Sequence, residues 1–236
     1  MFMSCLERKR NNSTNSNRFS MNYFWESFTV MTYLIAAWIV YFVIHSLLAS
    51  DRVKQYILRI NPVASTFYRL VYNLIALVLL VPVALAYRHA NEAFLYGLDW
   101  WHQVIGMTLS LFGLYILVVG FKNYNPDEFL GTYQLKTRRP FHPEKLVVDG
   151  WNGIVRHPLY LGGLLFGWGL LVIWPTSSLL ITNVLVSGYL IIGTMLEEKK
   201  LIREFGEEYR AYQKTTSMLI PIKWFRTFFH RPSHNK

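Results

Sequence analysis

Three long, predominantly apolar blocks, from Phe28 to Leu48, from Tyr68 to Tyr87 and from Val104 to Phe121, limit this chain more than any other feature. At 1.5 Å per helical residue each is close to the ~30 Å hydrocarbon layer of a bilayer. A soluble core would spread such residues at helical spacing among charged ones. Two further apolar stretches, Leu159–Ile173 and Ser178–Leu196, are separated only by the four residues from Trp174 to Ser177. They read as an antiparallel helical hairpin whose first member is short for a full crossing. The expected fold is an all-α integral membrane protein of about five transmembrane helices, with Pro82 as a kink in the second. Only 16% of residues are charged, and 17% are aromatic. Tyr and Trp in such numbers suit the lipid–water boundary.

A net charge of +10 raises the question of nucleic acid. The Lys and Arg residues lie in loops and in the tail, with no recognition motif, so anionic lipid is the better partner and nucleic acid is not expected. Cys5 is the single cysteine; it can form no internal disulfide, and no cluster of metal ligands accompanies it. Residues 1–20 are polar, lack periodicity and are expected to be a disordered leader. Residues 21–236 then form one domain. No feature sets an oligomeric state.

The loop after the first span carries Arg52, Lys54 and Arg59, and the loop after the third carries Lys122, Lys136, Arg138, Arg139 and Lys145. Between the second and third spans stands only Arg88, with Glu92 and Asp99. The positive-inside rule places the first and third loops and the C-terminus, including Lys236, in the cytoplasm, and Asn91 outside. A bacterial inner membrane is the expected location. Five spans put the N-terminus outside, against Arg8, Lys9, Arg10 and Arg18; a start at Met21 would remove the conflict.

An antiparallel hairpin returns its second end to the side of its first. Arg156, His157 and Tyr160 are therefore expected beside Glu197 and Glu198 at the cytoplasmic boundary. Leu201, Phe205, Tyr209 and Tyr212 recur at helical spacing and predict an amphipathic helix lying on the membrane. It would close a pocket against the hairpin mouth and the third loop. The bland reading of these charges is anchoring and solvation, and that of His157-Pro158 a helix start. Gly163-x-x-x-Gly167, with Gly162 and Gly169, is expected to serve close helix packing.

Taken together, Leu146-Val-x-x-Gly150, Arg156-His-Pro-x-Tyr160, Glu197-Glu-x-x-Leu201 and Phe205-Gly-x-x-Tyr209-x-x-Tyr212 resemble the C-terminal half of the isoprenylcysteine carboxyl methyltransferase superfamily. The likeness covers about 130–221. His45-Ser-Leu-Leu-Ala-Ser50 and Tyr68-Arg-Leu-Val-Tyr-Asn73 resemble its nurim-like branch, which includes methanethiol S-methyltransferases and NnrU-type proteins. The resemblance implies a membrane enzyme that uses S-adenosyl-L-methionine. It implies cofactor contacts at Gln134, Leu146, Val147, His157, Tyr160 and Glu197, in a cytoplasmic pocket. His45 and Asn73, polar groups in or at the ends of spans, are weaker candidates for the acceptor side; a hydrogen bond between helices is the equal alternative. His157 is a weak candidate for the catalytic base, since an adenosine contact would commit it in space. The family pattern has His where Glu144 stands and Tyr where Asn152 stands, so neither is expected as a contact.

In the carboxyl methyltransferases the resemblance also implies an arginine four residues before the cofactor glutamate. That position is Gly193 here. The expected acceptor is accordingly a small or lipophilic thiol, methanethiol-like and converted to a thioether, unless Arg69 or Arg156 replaces the missing cation. The rival readings are an isoprenylcysteine-type carboxyl O-methyltransferase, a non-enzymatic nurim-like scaffold, and a transporter. A transporter would place charges inside the spans.

Overall fold

The computed structural model describes residues 27–90, 94–122, 125–138 and 145–229. The leader, Met21, Asn91, Arg139, Glu144 and Lys236 lie outside these residues. Among the described residues, four helices are long and apolar enough to cross a membrane: α1 (Ser27–Ala49), α3 (Ala64–His89), α4 (Trp100–Phe121) and α9 (Ser177–Thr215). Between them stand α2 (Asp51–Ile60), α5 (Pro126–Leu130), α6 (Thr132–Thr137), α7 (Trp151–Ile154) and the apolar α8 (Pro158–Ile173), and α10 (Ile222–Phe229) follows. Helix α3 runs through Pro82. At 16 residues, α8 reaches about 24 Å, short of the hydrocarbon thickness. The hairpin of α8 and α9 is as expected.

Two groups of helices make up the body. In the first, Leu34 of α1 is buried with Val83 and Ala86 of α3, and Ile181 of α9 packs against them. Trp38 Nε1 donates to Thr182 Oγ1 at 3.0 Å, and Tyr87 O–H donates to the Ser178 carbonyl at 3.0 Å. Such bonds are retained in an apolar medium because an unmet donor there is costly. In the second group α4 lies directly on α8 through small residues. A Cβ on Gly113 would stand 2.5 Å from Phe166 N and 2.6 Å from Gly162 O, and one on Gly169 would stand 2.4 Å from Ser110 Oγ. Backbones this close leave no room for a side chain.

That contact corrects the expected glycine pattern. A Cβ on Gly163 would meet nothing within 4 Å, so this glycine packs against no helix. The packing surface of α8 is Gly162 and Gly169, seven residues apart, facing Gly106 and Gly113, also seven apart. Gly167 faces α9 instead, where Asn183 Nδ2 donates to the Gly167 carbonyl at 2.9 Å.

The amphipathic segment from Leu201 to Tyr212 is also corrected. It is not one helix: the helical path breaks at Gly206 (φ 57°, ψ −126°), with Leu201 and Phe205 in the end of the long piece and Tyr209 and Tyr212 in a second piece that runs to Thr215. A residue with a Cβ is strained there. The turn directs Tyr209 and Tyr212 inward, where both are buried. Tyr212 O–H donates to the Asn152 carbonyl at 2.5 Å, so this arm does close on the third loop. A second positive-φ glycine, Gly131 (φ 87°), joins α5 to α6. Its missing Cβ would stand 2.7 Å from Leu70 N, so the elbow lies directly on α3.

Candidate functional site at the mouth of the hairpin

From Ser177 to Glu197, α9 climbs about 30 Å, so Glu197 and Glu198 emerge where the hydrocarbon ends. Proline at the first position of α8 sets the opposite side of the mouth. The segment before it is held in extended form by the chain returning from α9. Val155 bridges Ser217 in parallel, Arg156 N–H donates to Ser217 O at 2.8 Å, and His157 N–H donates to Met218 O at 3.2 Å.

Arg156 and Glu198 are the buried pair of the site, with side chains 7% and 13% exposed. Arg156 Nε donates to Glu198 Oε1 at 2.7 Å, and its Nη1 donates to the Thr216 carbonyl. Glu198 Oε2 accepts from Gln213 Nε2 at 2.8 Å. Both Glu198 oxygens are thus engaged by protein, which makes this carboxylate a clamp between α8, α9 and the arm after Gly206.

Glu197 differs. Its Oε2 accepts from Tyr160 O–H at 2.8 Å, while no described residue donates to its other oxygen. Its side chain is 37% exposed. Of the two neighbouring carboxylates, Glu197 is the one with capacity left for a ligand. His157 lies between them, with Nε2 3.3 Å from Glu198 Oε1 and Nδ1 3.7 Å from Glu197 Oε2. Its ring stacks on Tyr160 at 5.6 Å with planes 5° apart. Burial pushes the imidazole below its ordinary range, against the upward pull of Glu197 and Glu198. A neutral imidazole has one N–H, and with that proton on Nε2 it would be donated to Glu198 Oε1. Nδ1 then keeps its lone pair.

The structure therefore joins His157, Tyr160 and Glu197. Leu146 is half-buried and Val147 exposed in the stretch leading into α7. Trp151 of that short helix fixes the stretch to α4, packing edge-on against Phe112 and Tyr115 at 5.9 and 6.2 Å. Asn152 is buried, and its Nδ2 is 3.5 Å from the Arg156 carbonyl.

Gln134 stands elsewhere. It lines a cavity of about 440 Å³ between α1, α2, α3 and α6, whose lining includes none of Arg156, His157, Tyr160, Glu197 and Glu198. His45 and Asn73 lie toward that side. Tyr72, on the cavity wall, is hydrogen-bonded to His45 Nε2 at 2.6 Å, and His45 stacks on Tyr41. Asn73 Nδ2 donates to the carbonyls of Phe129 and Leu130 at 3.0 and 3.2 Å, which ties α3 to the end of α5. Sequence reasoning missed Gln213 and the return segment Thr216–Met218. Neither carries a motif, and only the turn at Gly206 brings them back.

Fold and site define a helical membrane protein with a buried ion pair and a half-open carboxylate at one end of an apolar hairpin. The NnrU protein family model matches residues 33–227, and the chain belongs to that family. Among curated proteins, the chain is similar to the methanethiol S-methyltransferase of Pseudomonas deceptionensis, with 38% identity over 128 residues, 48% of this chain and 44% of that protein. Methanethiol S-methyltransferase 1 of Bradyrhizobium diazoefficiens is 32% identical over 124 residues, 51% of this chain and 42% of that protein. The Crocosphaera subtropica methanethiol S-methyltransferase is 28% identical over 127 residues, 51% of this chain and 48% of its own length. The chain thus spans less than half the length of each of these relatives. No solved structure matches it.

Proposed function

We propose that this chain is an S-adenosyl-L-methionine-dependent membrane methyltransferase that converts a small thiol of the methanethiol kind to a thioether. The observation that carries the reading is the His157–Tyr160–Glu197 group, beside a separate buried clamp of Arg156 and Glu198. A structural ion pair alone needs no second carboxylate with an unused oxygen. The names of the relatives point the same way.

The residues present fit such a donor. Glu197 offers a free oxygen to a hydroxyl or a cation, Tyr160 orients that carboxylate, and the exposed Val147 and half-buried Leu146 offer apolar surface to a purine. The chemistry the donor supplies when bound is an activated methyl on a sulfonium, transferred in line to a nucleophilic sulfur. The protein's part is to align the two reactants, which supplies much of the rate, and to let the thiol lose its proton. His157 is a candidate to take that proton, but we assign it first to positioning, since Glu198 and Tyr160 hold its ring.

A carboxylate acceptor finds less support. Gly193 brings no cation, and the two arginines able to replace it are committed, Arg156 to Glu198 and Arg69 to Glu128. An unpaired carboxylate is costly to bury, whereas a thiol enters neutral. Purified protein offered methanethiol and a farnesylcysteine analogue in parallel, with labelled donor, should form labelled dimethyl sulfide. Carboxyl methyl ester without thioether would overturn the acceptor, and neither product would overturn the activity.

In the membrane, we place the hairpin mouth and Arg138 in the cytoplasm, as loop charge requires, in the inner membrane of a bacterium. A cysteine introduced at Asn91 should react with an impermeant thiol reagent added outside, and one at Arg138 should not. The reverse labelling would invert the topology.

A further inference from the structure

Helices α1, α3 and α9 bring four polar rings together below the ends they share with the hairpin mouth: Tyr41, His45, Tyr72 and Tyr189. His45 stands four residues before the end of α1 and Tyr189 eight before Glu197, roughly 6 and 12 Å inside the apolar layer. The His45 ring stacks on Tyr41 at 5.4 Å and meets Tyr189 edge-on at 6.1 Å. The Tyr72 hydroxyl lies 2.6 Å from His45 Nε2 and 3.3 Å from Nδ1, so it covers both ring nitrogens. Polar groups at such depth are costly and mark function. Fastening alone is met on the same helices by Trp38 with Thr182 and by Tyr87 with the Ser178 carbonyl. An imidazole adds what those bonds lack, a base.

A second observation ties this cluster to Glu197. Tyr189, Gly193 and Glu197 follow one another along α9 at four-residue steps, each turning the stripe by about 40°. The stripe passes from the α1 side, where Tyr189 stacks on Phe42 at 4.2 Å, to the α8 side, where Glu197 accepts from Tyr160. Between them, a Cβ on the half-buried Gly193 would meet nothing within 4 Å. Open space therefore separates the half-open carboxylate from the ring cluster. Just beyond, Lys200 Nζ donates to Asp51 Oδ1 at 3.1 Å and holds α9 against the start of α2. On the far side of the cluster, Tyr72 lines the cavity between α1, α2 and α3, and the exposed Lys54 and Arg138 mark the aqueous end of that cavity.

Resting on the thiol methyltransferase reading, we propose that Tyr72 and His45 are the proton-accepting pair for the acceptor thiol, which occupies the space beside Gly193. A neutral thiol enters such a space readily but reacts only as thiolate. Its S–H bond breaks as the proton goes to the Tyr72 oxygen, and the Tyr72 proton passes to the unprotonated nitrogen of His45. The freed sulfur lone pair forms the new S–C bond with the activated methyl, and the electrons of the broken bond stay with the donor sulfur. His45, left as imidazolium, returns its proton through Tyr72 to solvent by way of the cavity. His157 then remains free for its positioning role between the two glutamates.

Full-length wild type, His45→Gln and Tyr72→Phe, purified in detergent, are compared with ethanethiol, which is protonated in neutral water, and with the far more acidic 2,2,2-trifluoroethanethiol. With ethanethiol, kcat/KM should fall about a hundredfold in His45→Gln and about tenfold in Tyr72→Phe; with trifluoroethanethiol, which arrives largely ionised, both should stay within about threefold of wild type. Calorimetric affinity for S-adenosylhomocysteine should be the same in all three. Ethanethiol added to the S-adenosylhomocysteine complex should give the ultraviolet difference band of a thiolate in wild type and not in His45→Gln. If His45→Gln does not accumulate, Tyr72→Phe carries the same contrast. Equal losses with both thiols, or weakened S-adenosylhomocysteine binding, overturn the proposal by making the pair structural or part of the donor site. Undiminished turnover of ethanethiol by His45→Gln overturns the proton role and leaves thiol methylation standing. A wild type that binds S-adenosylhomocysteine but methylates neither thiol overturns the thiol reading, and this proposal with it.

Discussion

Gly113→Leu should abolish accumulation of folded protein, and Gly163→Leu should leave yield and detergent thermal stability near those of the wild type. The new Cβ at 113 would stand 2.5 Å from Phe166 N and 2.6 Å from Gly162 O, both backbone atoms that no rotamer change can move. Overpacking in a well-packed core costs about 1–3 kcal/mol even where side chains can shift. Here the α4–α8 contact must open along its length, and Gly169 against Ser110 and Gly106 opens with it. At 163 an added Cβ meets nothing within 4 Å. Fluorescence-detected size exclusion of the two variants checks the contrast. Equal yields would show that α4 and α8 do not meet through glycine.

Glu198→Ala should destabilise the protein by about 3–5 kcal/mol, because it leaves Arg156 buried without its counter-charge. Arg156 is 7% exposed, and its remaining bonds go to the neutral carbonyls of Gln213 and Thr216. Glu197→Ala removes a carboxylate that is 37% exposed and holds one hydrogen bond from Tyr160, so its effect on stability should be about 1 kcal/mol or less. Arg156→Leu with Glu198→Leu should recover much of the loss, since a buried ion pair replaced as a whole is often nearly neutral. Thermal unfolding of the four proteins in one detergent gives the comparison. If Glu197→Ala proves the more damaging single change, the division into clamp and ligand carboxylate is wrong.

That division was not visible in the chain. Glu197 and Glu198 are adjacent letters, and the helical twist of about 100° between them decides which faces Tyr160 and which faces Arg156. The apolar blocks were legible because bilayer thickness sets their length: α1, α3 and α4 extend each expected span by only a few residues. The meeting of Arg156, His157 and Tyr160 with the two glutamates was legible because a short turn forces antiparallel return. Glycine spacing misled at Gly163, since the four-residue pattern ignores the partner. The seven-residue spacings of Gly162–Gly169 and Gly106–Gly113 held the better signal. Gln134, which the resemblance gives as a cofactor contact, lines the cavity beside α3, following the Gly131 elbow.

The central claim is that a methyl donor is held at the hairpin mouth by His157, Tyr160 and Glu197, and calorimetric binding of S-adenosylhomocysteine to the detergent-purified protein tests it most directly. The wild type should bind, and Glu197→Ala and His157→Ala should each lose about tenfold or more in affinity with folding intact, as loss of one charge-assisted hydrogen bond implies. Tyr160→Phe, which releases the Glu197 carboxylate, should fall between them and the wild type. Unchanged affinity in both Glu197→Ala and His157→Ala, in protein that binds S-adenosylhomocysteine, would contradict the account.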